Sequence, residues 1–470
     1  MNQIILGDCL YILKLLGDNS VDSIVTDPPY HLTSIVKRFG KKGSAPAKEG
    51  KDGSFKRLSG GFMGKTWDGT DENGNGIAYN VDMWKECLRV LKPGGYLLSF
   101  GGTRTYHRMA VAIEDAGFEV RDMINWCYGS GFPKSLNIGN AVDKLQGNKR
   151  EKLGTKYELL KQGSKPGTFG DRHEGYQRPW QKNKNSEAYF VTKGTSEWEG
   201  WGTALKPAHE PICMARKPLT EKTVAKNCLK WGTGGINIDE SRVGTSDDIP
   251  SRKADNNVKY KNVGQNYSIG IRNEFTPTQG RFPANLILSD SEEVRECFPE
   301  TKGMASQVDT KETPSNYFGA HKKAGYRYGR GDQGNASRFF KSIIYQAKAS
   351  KSERNKGCEE LEEKAKVFNG QSDKPSEDMK DVEKRFTTLP KANNHPTVKP
   401  IALMEYLIKM VTPKGGVVLD PFAGSGTTLV AAKQNGFKYI GIELTEEYIP
   451  IIEARLSAVK TLEDYDVRSK

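Results

Sequence analysis

The chain has 470 residues, a hydrophobic fraction of 36% and a formal net charge of +13. Its length allows two or three domains of roughly 150 residues each. The basic charge is common in proteins that meet nucleic acid, with simple solubility as the alternative explanation. No window approaches the roughly 18 to 20 apolar residues of a membrane span. The amino terminus also lacks the pattern of a secretory signal peptide.

The seven cysteines are widely spaced, and none stands in a C-x-x-C pair. This spacing argues against a disulfide framework and against a zinc site, so no metal is predicted. A reducing, cytoplasmic environment fits the pattern best.

The first residues alternate between apolar runs and helical spacing. A short apolar run predicts a strand at 4–6, leucines at helical spacing predict a helix over 9–17, and a second apolar run predicts a buried strand over 21–26. A strand, helix, strand beginning is typical of a parallel sheet.

The second strand ends in Asp27-Pro28-Pro29-Tyr30. Two successive prolines donate no ladder hydrogen bonds, fix their own φ and hold the preceding residue extended. The motif is therefore a stiff corner at the carboxyl end of a strand, where open α/β sheets place their chemistry. Its carboxylate and carbonyls suit hydrogen bonds from an exocyclic amine, and its aromatic ring suits stacking. A strand that merely stops at a Pro-Pro turn is the alternative.

The stretch 31–80 is a basic loop with interleaved glycine and serine, suited either to solvent or to phosphate contacts. Regular elements then return, and the LKPGG run at 91–95 is expected to end the helix that precedes it. The expected elements are a helix over 81–90, a strand over 96–100, a helix over 105–116 and a strand over 118–128.

Composition divides the chain into five segments. They are 1–133, an inserted polar lobe or loop at 134–205, a core strand at 206–217, a long block without α/β rhythm at 218–394 and a final segment at 395–470. In the fourth segment aromatic and basic residues alternate, as in Tyr326-Arg327-Tyr328 and Arg338-Phe339-Phe340-Lys341. This pattern suits nucleic acid, although a small satellite core with a solvated face has the same pattern.

The last segment is the clearest α/β unit, with helices at 402–410, 429–434 and 446–458 and strands at 416–419 and 439–442. Gly424 and Gly426 let the backbone turn tightly between strand and helix, so that a ligand can approach the main chain. Glu443, at the end of the next strand, is placed to accept both hydroxyls of a ribose. The glycine turn and Glu443 together predict a nucleoside-containing cofactor. The turn is not an ATPase phosphate loop, because the lysine of that loop is missing. A purely structural turn is the alternative.

Together, DPPY near one end and DPFAGSGT near the other resemble the amino-methylating DNA methyltransferases that use S-adenosylmethionine. The order, with the catalytic motif first and a large variable block before the cofactor motif, resembles the beta group of that family. Supporting motifs are IILGDC at 4–9, LKPGG at 91–95, GFPKS at 131–135, HPTVKP at 395–400 and YIGIEL at 439–444.

The resemblance implies a doubly wound, Rossmann-like α/β sheet, circularly permuted so that both termini fall in one loop. It makes 1–133 the catalytic half of the core, 395–470 the cofactor-binding half, and 218–394 an inserted target-recognition region. The strand at 416–419 would be central and the strand at 439–442 its neighbour. The last helix would lead back to the strand at 4–6.

It also implies methyl transfer from S-adenosylmethionine to N6 of a flipped-out adenine in double-stranded DNA, at a specific site. By this resemblance, the Asp27 side chain and the Pro28 carbonyl accept hydrogen bonds from the amine, Pro29 holds the geometry, and Tyr30 stacks on the base. The expected cofactor-binding residues are Asp8, Thr397, Lys399, Asp420, Pro421, Phe422, Gly424, Gly426, Thr427 and Glu443. Among these, Glu443 faces the ribose, Asp8 the adenine, and Thr397 and Lys399 the methionine end, whereas Asp420 has capping of the turn as its alternative role.

Cytosine N4 is the closest rival target, and Asp27 favours adenine because family members acting on cytosine more often carry serine at that position. There are two other interpretations. One is methylation of RNA or of a protein amide, and the other is a non-catalytic DNA-binding protein with a vestigial methyltransferase fold. A homodimer and a separate restriction endonuclease stay open as partners.

Overall fold

The structure is a computed structural model that describes residues 2–30, 76–129, 135–155, 190–244, 280–301, 334–343, 351–361 and 392–459. Most of the basic loop predicted at 31–80 lies outside the described residues, as do Tyr326-Arg327-Tyr328 and most of the GFPKS motif. None of the described helices is both long enough and apolar enough to cross a membrane.

The described strands, in chain order, are β1 (Asn2–Leu6), β2 (Val21–Thr26), β3 (Leu91–Phe100), β4 (Glu119–Cys127), β5 (Glu151–Thr155), β6 (Phe190–Lys193), β7 (His209–Arg216), β8 (Leu286–Ser289), β9 (Glu300–Thr301), β10 (Gly334–Asn335), β11 (Lys341–Ile343), β12 (Val417–Asp420) and β13 (Lys438–Glu443). The described α-helices are α1 (Cys9–Leu15), α2 (Val81–Val90), α3 (Tyr106–Asp115), α4 (Ile138–Gln146), α5 (Val224–Trp231), α6 (Glu292–Arg295), α7 (Lys351–Asn355), α8 (Ile401–Val411), α9 (Thr427–Gln434) and α10 (Ile449–Ser457).

Nine of the described strands form one sheet in the order β1-β13-β12-β2-β3-β7-β4-β8-β11. Neighbouring strands are parallel except at β7, which is antiparallel to both β3 and β4. The predicted parallel sheet is therefore confirmed, with β7 as its reversed strand. The strand β12 lies between β13 and β2, and β13 lies beside β1, as expected.

Helices cover both faces of this sheet, because side chains along each buried strand alternate between two cores. On β2, Val25 packs with α8, α9 and α10, whereas Ile24 packs with α1, α2 and α3. Both side chains are fully buried. The sheet is thus doubly wound, as the sequence predicts.

The strand β3 begins earlier than predicted. Val21 pairs with Leu91, and pairing resumes only at Ser23 with Tyr96, so the KPGG residues form a bulge inside the strand. The bulge backbone pairs with the chain after β7, since Gly94 N donates to the Lys217 carbonyl at 3.0 Å. The LKPGG run does end the helix, but it also starts the next strand.

Two short strands from the predicted target-recognition region extend the sheet. β8 pairs with β4 and β11 pairs with β8, both in parallel. Residues His209–Lys364 belong to the same compact unit as the core, whereas Ser130–Ala208, which spans the predicted polar insertion, belongs to a second unit. Inside that second unit, Arg150 forms ion pairs with Asp143 and with Glu199.

Candidate active site

One edge of the sheet gathers the acidic residues that the sequence singles out. Asp8, Asp27, Asp420 and Glu443 stand at the carboxyl ends of parallel strands, which share one edge of a sheet. Because β7 runs the other way, its beginning lies at this edge too, and it brings Glu210 there. Glu210 is absent from the predicted site, because no sequence signal marks a reversed strand.

The DPPY corner is braced by residues from other elements. The Tyr30 carbonyl accepts hydrogen bonds from the Tyr79 hydroxyl at 2.7 Å and from Thr105 Oγ1 at 3.0 Å. Pro28 is buried. A Cβ added to Gly102 would lie 3.2 Å from Tyr30 Cδ2, so a glycine there leaves room for the ring. The corner is therefore fixed by its surroundings as well as by its prolines.

Lys399 lies against this corner. Its Nζ is 2.6 Å from Asp27 Oδ2 and 3.2 Å from Glu210 Oε2, and it donates to the Tyr30 hydroxyl at 3.2 Å. Tyr30 in turn donates to Glu210 Oε2 at 3.1 Å. The ammonium also lies 4.8 Å from the centroid of the Phe100 ring. Lys399, predicted at the methionine end of the cofactor, thus lies at the DPPY corner.

The neighbouring carboxylates in this cluster shift the pKa values of Lys399 and Tyr30. Burial by itself lowers the pKa of Lys399, but the Asp27 and Glu210 carboxylates outweigh burial and raise it above its ordinary value. Burial, followed by the same two carboxylates, raises the pKa of Tyr30 well above its ordinary value. At neutral pH the cluster therefore contains an ammonium and a neutral phenol.

The second oxygen of Asp27 has no such partner. Asp27 Oδ1 is buried and has no hydrogen-bond donor among the described residues. Leaving a buried acceptor unsatisfied costs on the order of 1–3 kcal/mol. A ligand that brings a hydrogen-bond donor, such as an N–H group, to this oxygen would remove that cost.

The glycine turn between β12 and α9 needs its glycines for internal reasons. Gly424 and Gly426 have φ of +56° and +76°, in the left-handed region. A Cβ on Gly424 would lie 2.8 Å from His395 Nε2, and one on Gly426 would lie 2.8 Å from Ile452 Cγ2. The backbone conformation and the protein's own packing thus both account for these glycines, and the approach of a ligand to the turn stays a prediction.

A buried arginine holds this turn from the side of α10. Arg455 Nη1 donates to the Ser425 carbonyl at 2.6 Å, and to Ser425 Oγ and Thr427 Oγ1 at 3.0 Å each. Burial lowers the pKa of Arg455 to about 10, which leaves it charged at neutral pH. The Thr427 hydroxyl is therefore already hydrogen-bonded within the protein. Arg455 is absent from the predicted site, because helical spacing alone does not separate it from the other residues of the last helix.

Glu443 is oriented by two backbone donors. Its Oε2 accepts from Gly424 N and its Oε1 accepts from Thr445 N, both at 2.7 Å. Burial raises its pKa above the ordinary value. A carboxylate has about four lone-pair sites, so each oxygen keeps the capacity to accept from a ligand hydroxyl. Beside it, Pro421 is buried and Phe422 is half-buried.

Asp420 turns inward. Its Oδ1 accepts from Thr26 Oγ1 and its Oδ2 from Thr428 Oγ1, both at 2.6 Å. Phe422 N also donates to Oδ1, at 3.1 Å. Burial raises the pKa of Asp420 to about 6. These contacts support the alternative role, in which Asp420 caps the turn and ties β2 to β12.

Asp8 and Thr397 are the most exposed of the predicted cofactor residues. Asp8 caps α1 by accepting from Tyr11 N at 3.2 Å. It follows Gly7, whose N–H donates to the Glu443 carbonyl at 2.9 Å, so Asp8 lies beside the end of β13. The Thr397 carbonyl accepts a hydrogen bond from His395 Nδ1.

The loop 395–400 joins the two halves of the site, with His395 against Gly424 and Lys399 against Asp27. Arg354, from α7 at the end of the variable block, anchors this loop by donating to the carbonyls of Asn393 and His395. The Asn393 side chain donates back to the Arg354 carbonyl at 2.8 Å.

The fold and site define a Rossmann-like α/β protein in which a stiff, acidic corner lies at the same sheet edge as a glycine turn between strand and helix. The chain belongs to the N6/N4 methyltransferase family, whose model, described as a DNA methylase, matches residues 21–454.

The chain is 49% identical over 67 residues to the Type II methyltransferase M2.DpnII of Streptococcus pneumoniae, covering 14% of this chain and 25% of that protein. It is 26% identical over 247 residues to the Type II methyltransferase M.HindIII of Haemophilus influenzae, covering 49% of this chain and 63% of that protein. Each match thus spans less than two thirds of the relative. Among solved structures, the PvuII DNA methyltransferase (cytosine-N4-specific) is 13% identical with a TM-score of 0.37, covering all of this chain and 92% of that one.

Proposed function

We propose that this protein transfers a methyl group from S-adenosylmethionine to an exocyclic amine of a base in double-stranded DNA, with adenine N6 as the target. Family membership supports the reaction class. The observation that carries the chemistry is the buried Asp27 Oδ1, which has no donor among the described residues while Oδ2 is held by Lys399.

An aromatic amine is a poor nucleophile, because its lone pair is delocalised into the ring. Asp27 Oδ1 accepts a hydrogen bond from one N–H of the amine, and the Pro28 carbonyl accepts one from the other N–H. These two hydrogen bonds favour a more tetrahedral nitrogen. Tyr30 packs against the base. When bound, S-adenosylmethionine would supply the electrophilic methyl group, whose bond to sulfur would break as its bond to nitrogen forms, leaving S-adenosylhomocysteine. The methylated nitrogen would then lose one proton to solvent. The base must leave the duplex to reach this corner.

The residues around the glycine turn fit the proposed cofactor. Glu443 presents two oriented oxygens with spare acceptor capacity, which suits a ribose diol. The half-buried Phe422 offers apolar surface at the same edge, and Asp8 lies next to Glu443. Thr397 and Lys399 lie on the loop that connects this group to the corner.

Three finer points belong to the same proposal. Aspartate at the first position of DPPY favours adenine N6 over cytosine N4. The position of β12 and β13 between β1 and β2 favours a circularly permuted chain of the beta group. The basic net charge of +13 favours salt-sensitive contacts to the DNA backbone, with sequence reading assigned to 218–394.

The test follows tritiated methyl from S-adenosylmethionine into unmethylated plasmid DNA, with the modified nucleoside identified by mass spectrometry. We expect N6-methyladenine from the wild type and a loss of about 10²–10⁴-fold in turnover for Asp27→Ala. Calorimetry with S-adenosylhomocysteine should give nearly unchanged affinity for Asp27→Ala and clearly weaker affinity for Glu443→Gln.

The exposed Asp82→Asn serves as the control and should behave as wild type. N4-methylcytosine as the product would overturn the choice of base. An Asp27→Ala variant with wild-type turnover would overturn the mechanism, and a wild type that transfers no methyl to DNA would overturn the function.

A further inference from the structure

We propose that Glu210 and Lys399 are positioning residues for this methyl transfer, which hold Asp27 with one oxygen engaged and the other open to the amine. The inference rests on the proposed function and extends it to the residues that set the charge around Asp27. Neither residue needs to touch the methyl group. Both act through Asp27.

The geometry separates the two oxygens of Asp27. Lys399 Nζ occupies Oδ2 at 2.6 Å, while Oδ1 is buried without a donor among the described residues. Lys399 itself is held from the far side by Glu210 Oε2 at 3.2 Å. Its side chain is only 11% exposed, so water screens these contacts weakly. The carboxylate is thus fixed in rotation, with its open oxygen kept free of the lysine.

The cluster also has an unbalanced charge. Two carboxylates face one ammonium, so Asp27, Glu210 and Lys399 together carry one surplus negative charge. During methyl transfer, positive charge moves from the sulfonium to the amine nitrogen until a proton leaves. A preorganised negative charge at that place stabilises the transition state more than the ground state. Glu210 supplies the surplus without binding the base.

Lys399 has a second role, because it is the counter-ion that the Asp27 and Glu210 carboxylates share. Two like charges that share a site without a counter-ion disfavour double ionisation, and one of them then keeps a proton to higher pH. Among the described residues, the other titratable groups that face the cluster are Tyr30, from the same corner, and Asp420, from the end of β12. Tyr30 stays neutral, and Asp420 is acidic, so neither replaces the lysine charge.

The test measures kcat and KM for methyl transfer to unmethylated plasmid DNA between pH 5 and 9. For Lys399→Met we expect the acid limb of the kcat profile to move up by about 1–3 pH units. Adding Glu210→Gln to this variant should move the limb back down, because a single carboxylate remains. Lys399→Arg keeps the charge and should keep the limb in place.

Glu210→Gln alone should lower kcat roughly tenfold at pH 8 with little change in KM, because the surplus charge is lost. This variant keeps the inference testable even if Lys399→Met fails to fold, which thermal melting would reveal. The exposed Lys85→Met is the matched control for losing a lysine and should match wild type.

A folded Lys399→Met variant whose acid limb stays in place would overturn the inference, as would a Glu210→Gln variant with wild-type kcat. Both outcomes leave the proposed function intact as long as the wild type methylates DNA. Absence of methyl transfer by the wild type would instead overturn the proposed function.

Discussion

At the scale of single residues, Asp420 is a carboxylate whose surroundings oppose its charge. Burial raises its pKa to about 6, although Thr26, Thr428 and the Phe422 N–H act in the opposite direction. Its ordinary value is 3.8, so the folded state holds this proton more tightly than the unfolded state does. The contribution of Asp420 to stability is therefore fully present in acid and is lost as the pH rises through about 6.

The variant Asp420→Asn removes this titration. The melting temperature of the variant should therefore improve relative to wild type as the pH rises from 4 to 7. Over that interval the difference corresponds to roughly 3 kcal/mol, at about 1.4 kcal/mol for each unit of pKa. Thermal melting at half-unit steps of pH measures it, with the exposed Asp82→Asn as the control. A difference that is constant with pH would contradict the assignment of a raised pKa.

At the scale of elements, the turn between β12 and α9 combines two demands on the same glycine. Gly426 has φ of +76° and would place a Cβ 2.8 Å from Ile452 Cγ2, on the helix α10. Gly436, in the turn after α9, has a similar φ of +71° but no atom within 4 Å of the added Cβ. The two positions therefore separate backbone strain from packing.

Gly436→Ala should cost about 1–2 kcal/mol, from the left-handed backbone alone. Gly426→Ala should cost a further 1–3 kcal/mol or so, from overpacking against α10. Denaturant unfolding of both variants gives the comparison. Equal losses would show that Ile452 moves aside and that packing does not require a glycine at 426.

Most regular elements are predictable from the sequence, because their signals are local. Apolar alternation and helical spacing locate β2 and α2 at the observed bounds, and the motifs place the corner and the glycine turn at one edge. The position of Glu210 depends on the reversed direction of β7, which strand periodicity does not encode. The contact between Lys399 and Asp27 joins residues 372 positions apart, so no spacing rule predicts it. The strands β8 and β11 have four and three residues, too few for a reliable period.

At the scale of the whole molecule, the two ends of the chain are interleaved in one sheet. The strands β12 and β13 lie between β1 and β2, and Thr26 on β2 bonds to Asp420 on β12. β13 and β1 are parallel neighbours, so α10 is the helix that would connect them if the chain ends were joined. Such a connection is the ordinary βαβ unit of a parallel sheet.

A rearranged chain tests the permutation directly. Residues 381–470, joined by a flexible linker to 1–380, should fold to the same structure and keep methyl transfer to plasmid DNA. The expected loss of stability is about 1 kcal/mol, or roughly 2–4 °C in melting temperature. As the control, a break between Val418 and Leu419 interrupts the buried central strand β12 and should abolish folding. Failure of the first chain to fold would contradict the arrangement.

Arg354 hydrogen-bonds to the loop that carries Lys399. This contact limits how much of the predicted target-recognition region can be exchanged as one unit. Arg354 lies within the predicted target-recognition region, yet it is buried and holds the carbonyls of Asn393 and His395. Replacing 218–394 as a whole would exchange Arg354 and so alter the anchor of the loop that carries Lys399 to the DPPY corner. A chimera designed to change the DNA sequence that is read should therefore end its donor segment before residue 351.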